Sequence, residues 1–261
     1  MECRICKSND LTLYYKQGYN SQYHYYRCAN CRLVNLDLNN LVITESQQKY
    51  FDNYKPHKDY EKVKGSYKAY KFVSKYVPLT GKFLDIGCGF GSVLYFFRKY
   101  GWQTKGLELS QQLADHVIKN LNIEVEVCDF LKFEGDKGIY DLVSIRQVLE
   151  HLPDSILAMQ KIHGLLKSDG YAYLEFPNID GLSNKIQRVR NKISFLRKKY
   201  KPSYVPGHCN EFSKYTFEYL LQKTGFRMIC WETYSKKAFT NFVYNHLHIG
   251  TKARVIIQKI S

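Results

Sequence analysis

Residues 82–92 read KFLDIGCGFGS, an apolar run closed by Asp85 and followed by glycines at 87, 89 and 91. Such a run of strand length, leading into glycines and then a new apolar periodicity, reads as strand, turn and helix. Glycine at every second position also lets the backbone approach a ligand closely, with no Cβ in the way. From residue 82 onward strand and helix patterns alternate. Strands are expected near 82–86, 104–108, 124–128, 140–146 and 170–176, with helices near 91–100, 111–120 and 154–166. This alternation builds βαβ units on a parallel sheet, an α/β fold. The tail adds a helix over 213–225 and two strands, 226–234 and 253–260.

The glycine register narrows the ligand. A dinucleotide fingerprint, G-x-G-x-x-G, needs its third glycine where Ser92 stands, and a phosphate-binding P-loop needs a lysine that is missing here. Glu108 closes the second strand, about 20 residues past the glycines, where an acid accepts hydrogen bonds from a ribose diol. That placement alone fits NAD equally well, and Glu108 also favours the helix that follows, with Ser110 as its N-cap.

Four of the eight cysteines form two Cys-x2-Cys pairs, Cys3/Cys6 and Cys28/Cys31, separated by 21 residues. Paired thiols at this spacing read as a tetrahedral zinc site, and the aromatic segment around Gly18 is suited to a hairpin between them. Four thiolates leave no open position for water or substrate, so Zn2+ is expected to be structural in a small N-terminal zinc ribbon. Cys88, Cys128, Cys209 and Cys230 are isolated and read as small buried or loop residues.

The chain divides into a ribbon over 1–36, a polar Tyr- and Lys-rich connection over 37–80 with a helix near 60–76, and the α/β domain over 81–261. No apolar stretch reaches the ~18–20 residues of a membrane span, and the first residues carry no apolar signal core, so a cytoplasmic protein is expected. The net charge of +15 favours anionic partners. Within 181–204, Lys185, Arg188, Arg190, Lys192, Arg197, Lys198, Lys199 and Lys201 meet no acid, and Ile186, Val189, Ile193 and Leu196 share one helical face. This basic amphipathic segment has three uses open to it: a substrate lid, a peripheral contact with an anionic membrane, or RNA.

Asp85-x-Gly87-x-Gly89-x-Gly91 resembles the first motif of the class I S-adenosylmethionine-dependent methyltransferases, and further motifs follow in order. Glu108 matches the family's ribose-binding acid, and Asp129 and Phe130 match the residues that hold the adenine. YDLVSIRQVLEHLPD resembles the fourth strand and its loop, and LLKSDGYAYLEFPN the fifth. The likeness covers about residues 60–261. It implies a doubly wound, mostly parallel, seven-stranded Rossmann-like sheet with an antiparallel last strand. It also implies S-adenosyl-L-methionine as cofactor, held by Asp85, Gly87, Gly89, Gly91, Glu108, Leu109, Asp129, Phe130 and Gln147. In similar enzymes an aromatic N-terminal segment, here Tyr50, Phe51 and Tyr54, folds over the cofactor.

A hydroxyl or carbon-acid acceptor needs a base, and histidine is suited to the task near neutral pH. His151, just after the fourth strand, and His208, just after the basic insertion, are the catalytic candidates, with Glu150 and Glu211 close in sequence. Each has a plainer alternative: His151 fixes the loop before Pro153, and His208 with Glu211 orders the loop before Ser213. Asn178 either lines the substrate pocket or ends a strand. The LEHLPD, LEFPN and GH-x-x-x-FS pattern resembles the small-molecule methyltransferases of quinones and sugars. The expected acceptor is therefore the hydroxyl of a sugar, glycan or lipid-linked metabolite. Zinc-finger-bearing rRNA guanine methyltransferases are the alternative, and nucleic acid ranks behind a small molecule because the ribbon lacks a dense basic cluster. A non-catalytic cofactor-binding module is the second alternative.

Overall fold

The computed structural model describes residues 1–39, 59–77, 80–192, 199–235 and 241–260. Tyr50, Phe51 and Tyr54 lie outside the described residues, as do 193–198 of the basic segment.

The described strands form two sheets. In the larger, β4 (Lys82–Ile86), β5 (Gln103–Glu108), β6 (Glu124–Val127), β7 (Tyr140–Arg146) and β8 (Leu166–Pro177) run parallel. The tail supplies β10 (Phe226–Tyr234) and β11 (Lys252–Lys259), and β11 enters antiparallel between β10 and β8. The order β10-β11-β8-β7-β4-β5-β6 is the expected seven-stranded Rossmann-like sheet with its antiparallel last strand. Phe83, Leu84, Asp85 and Ile86 of β4 are all buried, because helices cover both faces and leave no solvent side for alternation to mark.

Local chemistry sets the helix ends. Ser110 Oγ accepts from Leu113 N at 3.4 Å to start α3 (Gln111–Leu121), and Asn122, at φ 50°, ends it. Asp154 caps α4 (Ser155–Leu165) through Leu157 N at 2.9 Å, and Ser213 caps α6 (Lys214–Thr224) through Thr216 N at 3.2 Å. The helix expected near 60–76 is a short 3-10 turn, Tyr60–Lys62, and then α1 (Lys64–Val73). Its aromatic residues hold it to α2 (Ser92–Lys99), with Tyr67 against Phe96 at 5.5 Å and Tyr70 against Phe97 at 5.3 Å between ring centres.

The smaller sheet opens with the hairpin of β1 (Leu11–Gln17) and β2 (Tyr23–Cys28), turned at Gly18 with φ 91°. β3 (Val34–Leu36) pairs with β2, and β9 (Asn210–Glu211) pairs with β3. The sequence reading placed no strand at β9. Two residues are too few to carry a periodicity, and this pair is recruited by a neighbour at least 175 positions earlier. Leu36 N donates to Cys209 O at 3.0 Å, and Val34 and Asn35 pair with Glu211 and Asn210. Arg4 locks the junction, with Nε on Asn210 Oδ1 at 2.8 Å, one terminal nitrogen on Leu36 O at 2.9 Å and the other on Cys209 O.

The basic segment is helical as α5 (Leu182–Lys192), whereas 199–204 is not helical, so one helix over the whole of 181–204 is not what forms. Ile186 and Val189 are 49% and 61% exposed, so this part of the apolar stripe faces away from the core. Asn178 is buried and ends β8: its amide donates to His248 O and Gly250 O, and its Oδ1 accepts from Asp180 N. A short α7 (Asn241–His246), unforeseen in the sequence, precedes β11. Among the described residues no helix is long and apolar enough to cross a membrane.

Candidate active site

Cys3, Cys6, Cys28 and Cys31 converge at the foot of the hairpin, their sulfurs all within 4.8 Å of one another and none in a disulfide. The residue after each pair, Lys7 and Arg32, has φ 60°, so the two turns are conformational copies. The hydrogen bond from Cys31 and the amides of Cys6 and Ile5 draw the Cys3 thiol down to about 5. Four convergent sulfurs with amides aimed at them fit a tetrahedral metal.

The second site follows from the strand order. The chain leaves β4 for β5 on one side and later returns to β7 on the other, so the loops after β4 and β7 part. A crevice opens there, at the carboxyl ends of the strands. It holds a cavity of ≈ 510 Å³ whose wall includes Gly87, Gly89, Glu108, Asp129 and Phe130 at one end and His151 and His208 at the other.

The three glycines serve three needs. All have positive φ, at 69°, 54° and 71° for Gly87, Gly89 and Gly91. A Cβ on Gly87 would stand 2.5 Å from Val148 Cγ2, and one on Gly91 would stand 2.9 Å from Val117 on α3. A Cβ on Gly89 would meet nothing within 4 Å, and this glycine lies on the cavity wall. Gly87 thus permits close packing of the β7 loop, Gly91 seats a helix, and Gly89 keeps the cradle clear for a ligand.

Glu108 is buried and tied to that cradle: Oε2 accepts from Gly89 N at 2.8 Å, and Oε1 accepts from Leu109 N at 2.8 Å and Ser110 N at 3.1 Å. It therefore supports the start of α3, one of the two roles left open in the sequence, and also lines the cavity. Asp129 Oδ1 accepts from Leu131 N at 3.0 Å, which holds Phe130 against the cavity, and Leu109 lines it as well. Asp85 and Gly91 are not on the wall. Asp85 is buried behind the loop and takes a hydrogen bond from Ser144, its register partner on β7. Burial pushes its carboxyl up to about 6, with the Ser144 bond opposing.

Gln147 reaches the cavity in a left-handed conformation, φ 55°. Its Oε1 accepts from Lys252 Nζ at 3.0 Å, while its buried Nε2 has no partner. A buried amide donor without an acceptor marks a place where a ligand oxygen or nitrogen belongs. With the Cβ-free cradle, the buried acid at the end of β5 and the apolar Phe130, these residues fit an amino-acid-bearing nucleoside.

At the other end, His151 Nδ1 donates to Gly207 O at 2.7 Å, which leaves Nε2 as the free acceptor. The His208 ring lies 5.1 Å from it, centre to centre, and His208 Nδ1 stands 4.0 Å from Glu211 Oε1. The two histidines, 57 residues apart in sequence, meet because Cys209 N donates to Glu150 O at 2.8 Å and Asn210 Nδ2 donates to Leu152 O at 2.7 Å. Burial lowers the pKa of His151. Burial, then His151 and Lys252, bring His208 down to about 4. Both imidazoles are neutral at pH 7 and carry a lone pair. Desolvation pushes the partly buried Glu211 up to about 7 despite the hydrogen bond from Tyr15 Oη at 2.8 Å.

Three features of this end had no sequence signal strong enough to find them. Leu36 brings the ribbon into the cavity wall. Arg146, also on the wall, is bound by Glu175 at 2.8 Å. Burial raises the Glu175 carboxyl, and Arg146 more than offsets that, holding it below its ordinary range. Glu150 was noticed only as a neighbour of His151, yet it is 1% exposed and neither carboxylate oxygen has a partner.

Comparison with known proteins agrees with this geometry. A family profile described as "Methyltransferase domain" matches residues 57–230. Ubiquinone biosynthesis O-methyltransferase of Coxiella burnetii is 30% identical over 115 residues, covering 41% of this chain and 49% of that protein. The chain thus spans about half the length, or less, of the curated relatives it matches. Among solved structures, the PH0226 protein of Pyrococcus horikoshii superposes with a TM-score of 0.61 at 16% identity, over 81% of this chain and 98% of that one. A SAM-dependent methyltransferase of Archaeoglobus fulgidus gives 0.54 at 18% identity, over 83% and 99%. With two thirds of its length under one profile, the chain belongs to the S-adenosylmethionine-dependent methyltransferase family.

Proposed function

We propose that the chain transfers a methyl group from S-adenosylmethionine to a hydroxyl of a small-molecule acceptor, with a sugar, glycan or lipid-linked metabolite the favoured class. One observation carries this reading: a single cavity joins the glycine cradle to the His151–His208 pair. The cofactor supplies an activated methyl group. Gly87 and Gly89 admit it, Glu108 takes its ribose, Asp129 and Phe130 its adenine, and the unpaired Gln147 amide supplies a further donor. Beyond it the acceptor hydroxyl meets the two neutral imidazoles, and His151 Nε2 is free to take the proton. The resemblance to a ubiquinone-pathway O-methyltransferase supports oxygen as the methylated atom. The ribbon binds one structural Zn2+ through Cys3, Cys6, Cys28 and Cys31 and acts as a wall of the acceptor end through Leu36.

Calorimetry is expected to show one S-adenosylmethionine per chain and no NAD, with affinity lost in Glu108→Ala. Tritiated cofactor offered separately to a metabolite extract, a lipid extract and unmodified rRNA is expected to label the first or second. Label in rRNA alone would replace this reading with the RNA alternative, and no cofactor binding at all would end both.

A further inference from the structure

We propose that Glu150, His151 and His208 bind a divalent transition-metal cation at the acceptor end of the cavity, separate from the four-cysteine site. One oxygen of Glu150 and one ring nitrogen of each histidine already lie within 4.8 Å of one another. His151 Nε2, the nitrogen left free by the bond to Gly207 O, stands 4.0 Å from Glu150 Oε1.

The strongest argument comes from Glu150. A carboxyl group that is 1% exposed with both oxygens unpartnered leaves buried polar atoms unsatisfied whether it is ionised or protonated, and a native chain needs a reason to keep it. Among the described residues no Lys or Arg nitrogen comes within 4.0 Å of it, and Lys252 is engaged with Gln147 Oε1. A cation between the carboxylate and the imidazoles removes that cost.

The ligand chemistry agrees. Two imidazoles and one carboxylate are a borderline donor set suited to Mn2+, Fe2+ or Zn2+ rather than to the softer ions that thiolates select. Metal-bound histidines commonly have their second nitrogen held by a carbonyl or a carboxylate. Here His151 Nδ1 is on Gly207 O, and Glu211 Oε1 stands 4.0 Å from His208 Nδ1. Bringing three ligands to the ~3 Å separations that ~2.1 Å bonds require calls for a rotation of His208, whose side chain is 36% exposed and has room to turn. It also calls for His151 Nε2 and Glu150 Oε1 to close from 4.0 Å by about 1 Å. Three protein ligands leave coordination positions open on the side of the cavity. Resting on the methyl-transfer reading above, those positions would take the acceptor's oxygens, so that acceptors with two adjacent oxygen atoms are favoured. With the cation bound, His151 Nε2 is a ligand in place of the base it supplies without one, and the hydroxyl, made more acidic by the cation, would release its proton to solvent water.

The probe is Mn2+, added to protein loaded with one Zn2+ per chain, which the four thiolates take first, and followed by the loss of the free-ion electron paramagnetic resonance signal. The expected result is one bound Mn2+ per chain, with affinity at least tenfold weaker in Glu150→Gln and in His208→Ala. S-adenosylmethionine affinity, measured by calorimetry on the same samples, should stay within twofold of wild type. No Mn2+ uptake by the wild-type chain, or uptake that both variants retain, overturns the proposal. Should Glu150→Gln fail to fold, His208→Ala at the half-exposed rim decides alone. The two assays separate the failures: cofactor binding without Mn2+ sinks only the cation, and Mn2+ binding without cofactor sinks only the methyl-transfer reading.

Discussion

At the scale of single residues, the glycine loop and the acid before it make opposite demands on the backbone and on solvent. Gly87 combines φ 69° with a Cβ direction blocked by Val148 at 2.5 Å. Gly87→Ala is expected to destabilise by about 2 kcal/mol or more and to weaken cofactor binding at least tenfold, and adding Val148→Ala should recover the steric part but not the conformational part. Urea unfolding and calorimetry on the single and double variants check this. Asp85 has a different signature. Its folded pKa of about 6 stands above the ordinary 3.8, so between those values the folded chain keeps a proton that the unfolded chain has released. Its contribution is complete below about pH 4, fades as the pH rises, and is gone above about 6. The change amounts to about 3 kcal/mol at ~1.4 kcal/mol per pH unit. Asp85→Asn lacks this titration, so the stability of wild type minus that of the variant should fall by about that amount across the window. A difference that stays flat from pH 4 to 7 would contradict it.

At the scale of elements, Arg4 joins two parts of the fold that are far apart in sequence. It donates to acceptors on β3, on Asn210 and on Cys209, so Arg4→Gln leaves several of them unsatisfied. A loss of about 3 kcal/mol is expected, and amide exchange over 205–211 should accelerate far more than in β4 or β7. Uniform exchange changes would count against a local role. Much of the large sheet was legible in the sequence, because buried parallel strands read as short apolar runs and Ser110, Asp154 and Ser213 announce their helices. β9 was not legible: two residues have no period, and their partner lies at the other end of the chain. The candidate site divides in the same way. Asp129 and Phe130 came through the family resemblance, whereas Gly87, Gly89 and Glu108 were readable from the glycine register and the acid at the next strand end. The meeting of Glu150 with His208 was not, because it depends on the loop bond from Cys209 N to Glu150 O. Nor does sequence disclose that the Gln147 amide lacks a partner, since that depends on everything around it.

At the scale of the whole molecule, the two sheets share material. Leu36 of the small sheet lines the cavity of the large one, and β9, which the chain supplies between β8 and β10 of the large sheet, completes the small one, where its Glu211 accepts from Tyr15 of β1. Stripping the zinc proposed for the four cysteines with a chelator, or replacing Cys3 by Ser, is expected to lower one unfolding transition of the entire chain. About 3 kcal/mol corresponds to roughly 5–10 °C for a chain of this size. Scanning calorimetry that resolved an independent ribbon transition, with the main one unmoved, would refute this coupling. The pairing of β3 with β9 also bears on attempts to trim the protein. A shortened version without its first 36 residues would retain all seven strands of the larger sheet. It would nonetheless strand the rim that carries His208 with a bare row of amides and carbonyls, a surface to which neighbouring molecules readily adhere. A minimal catalyst cut at the apparent border between the two parts would thus be prone to clump and to lose its acceptor while still gripping its cofactor.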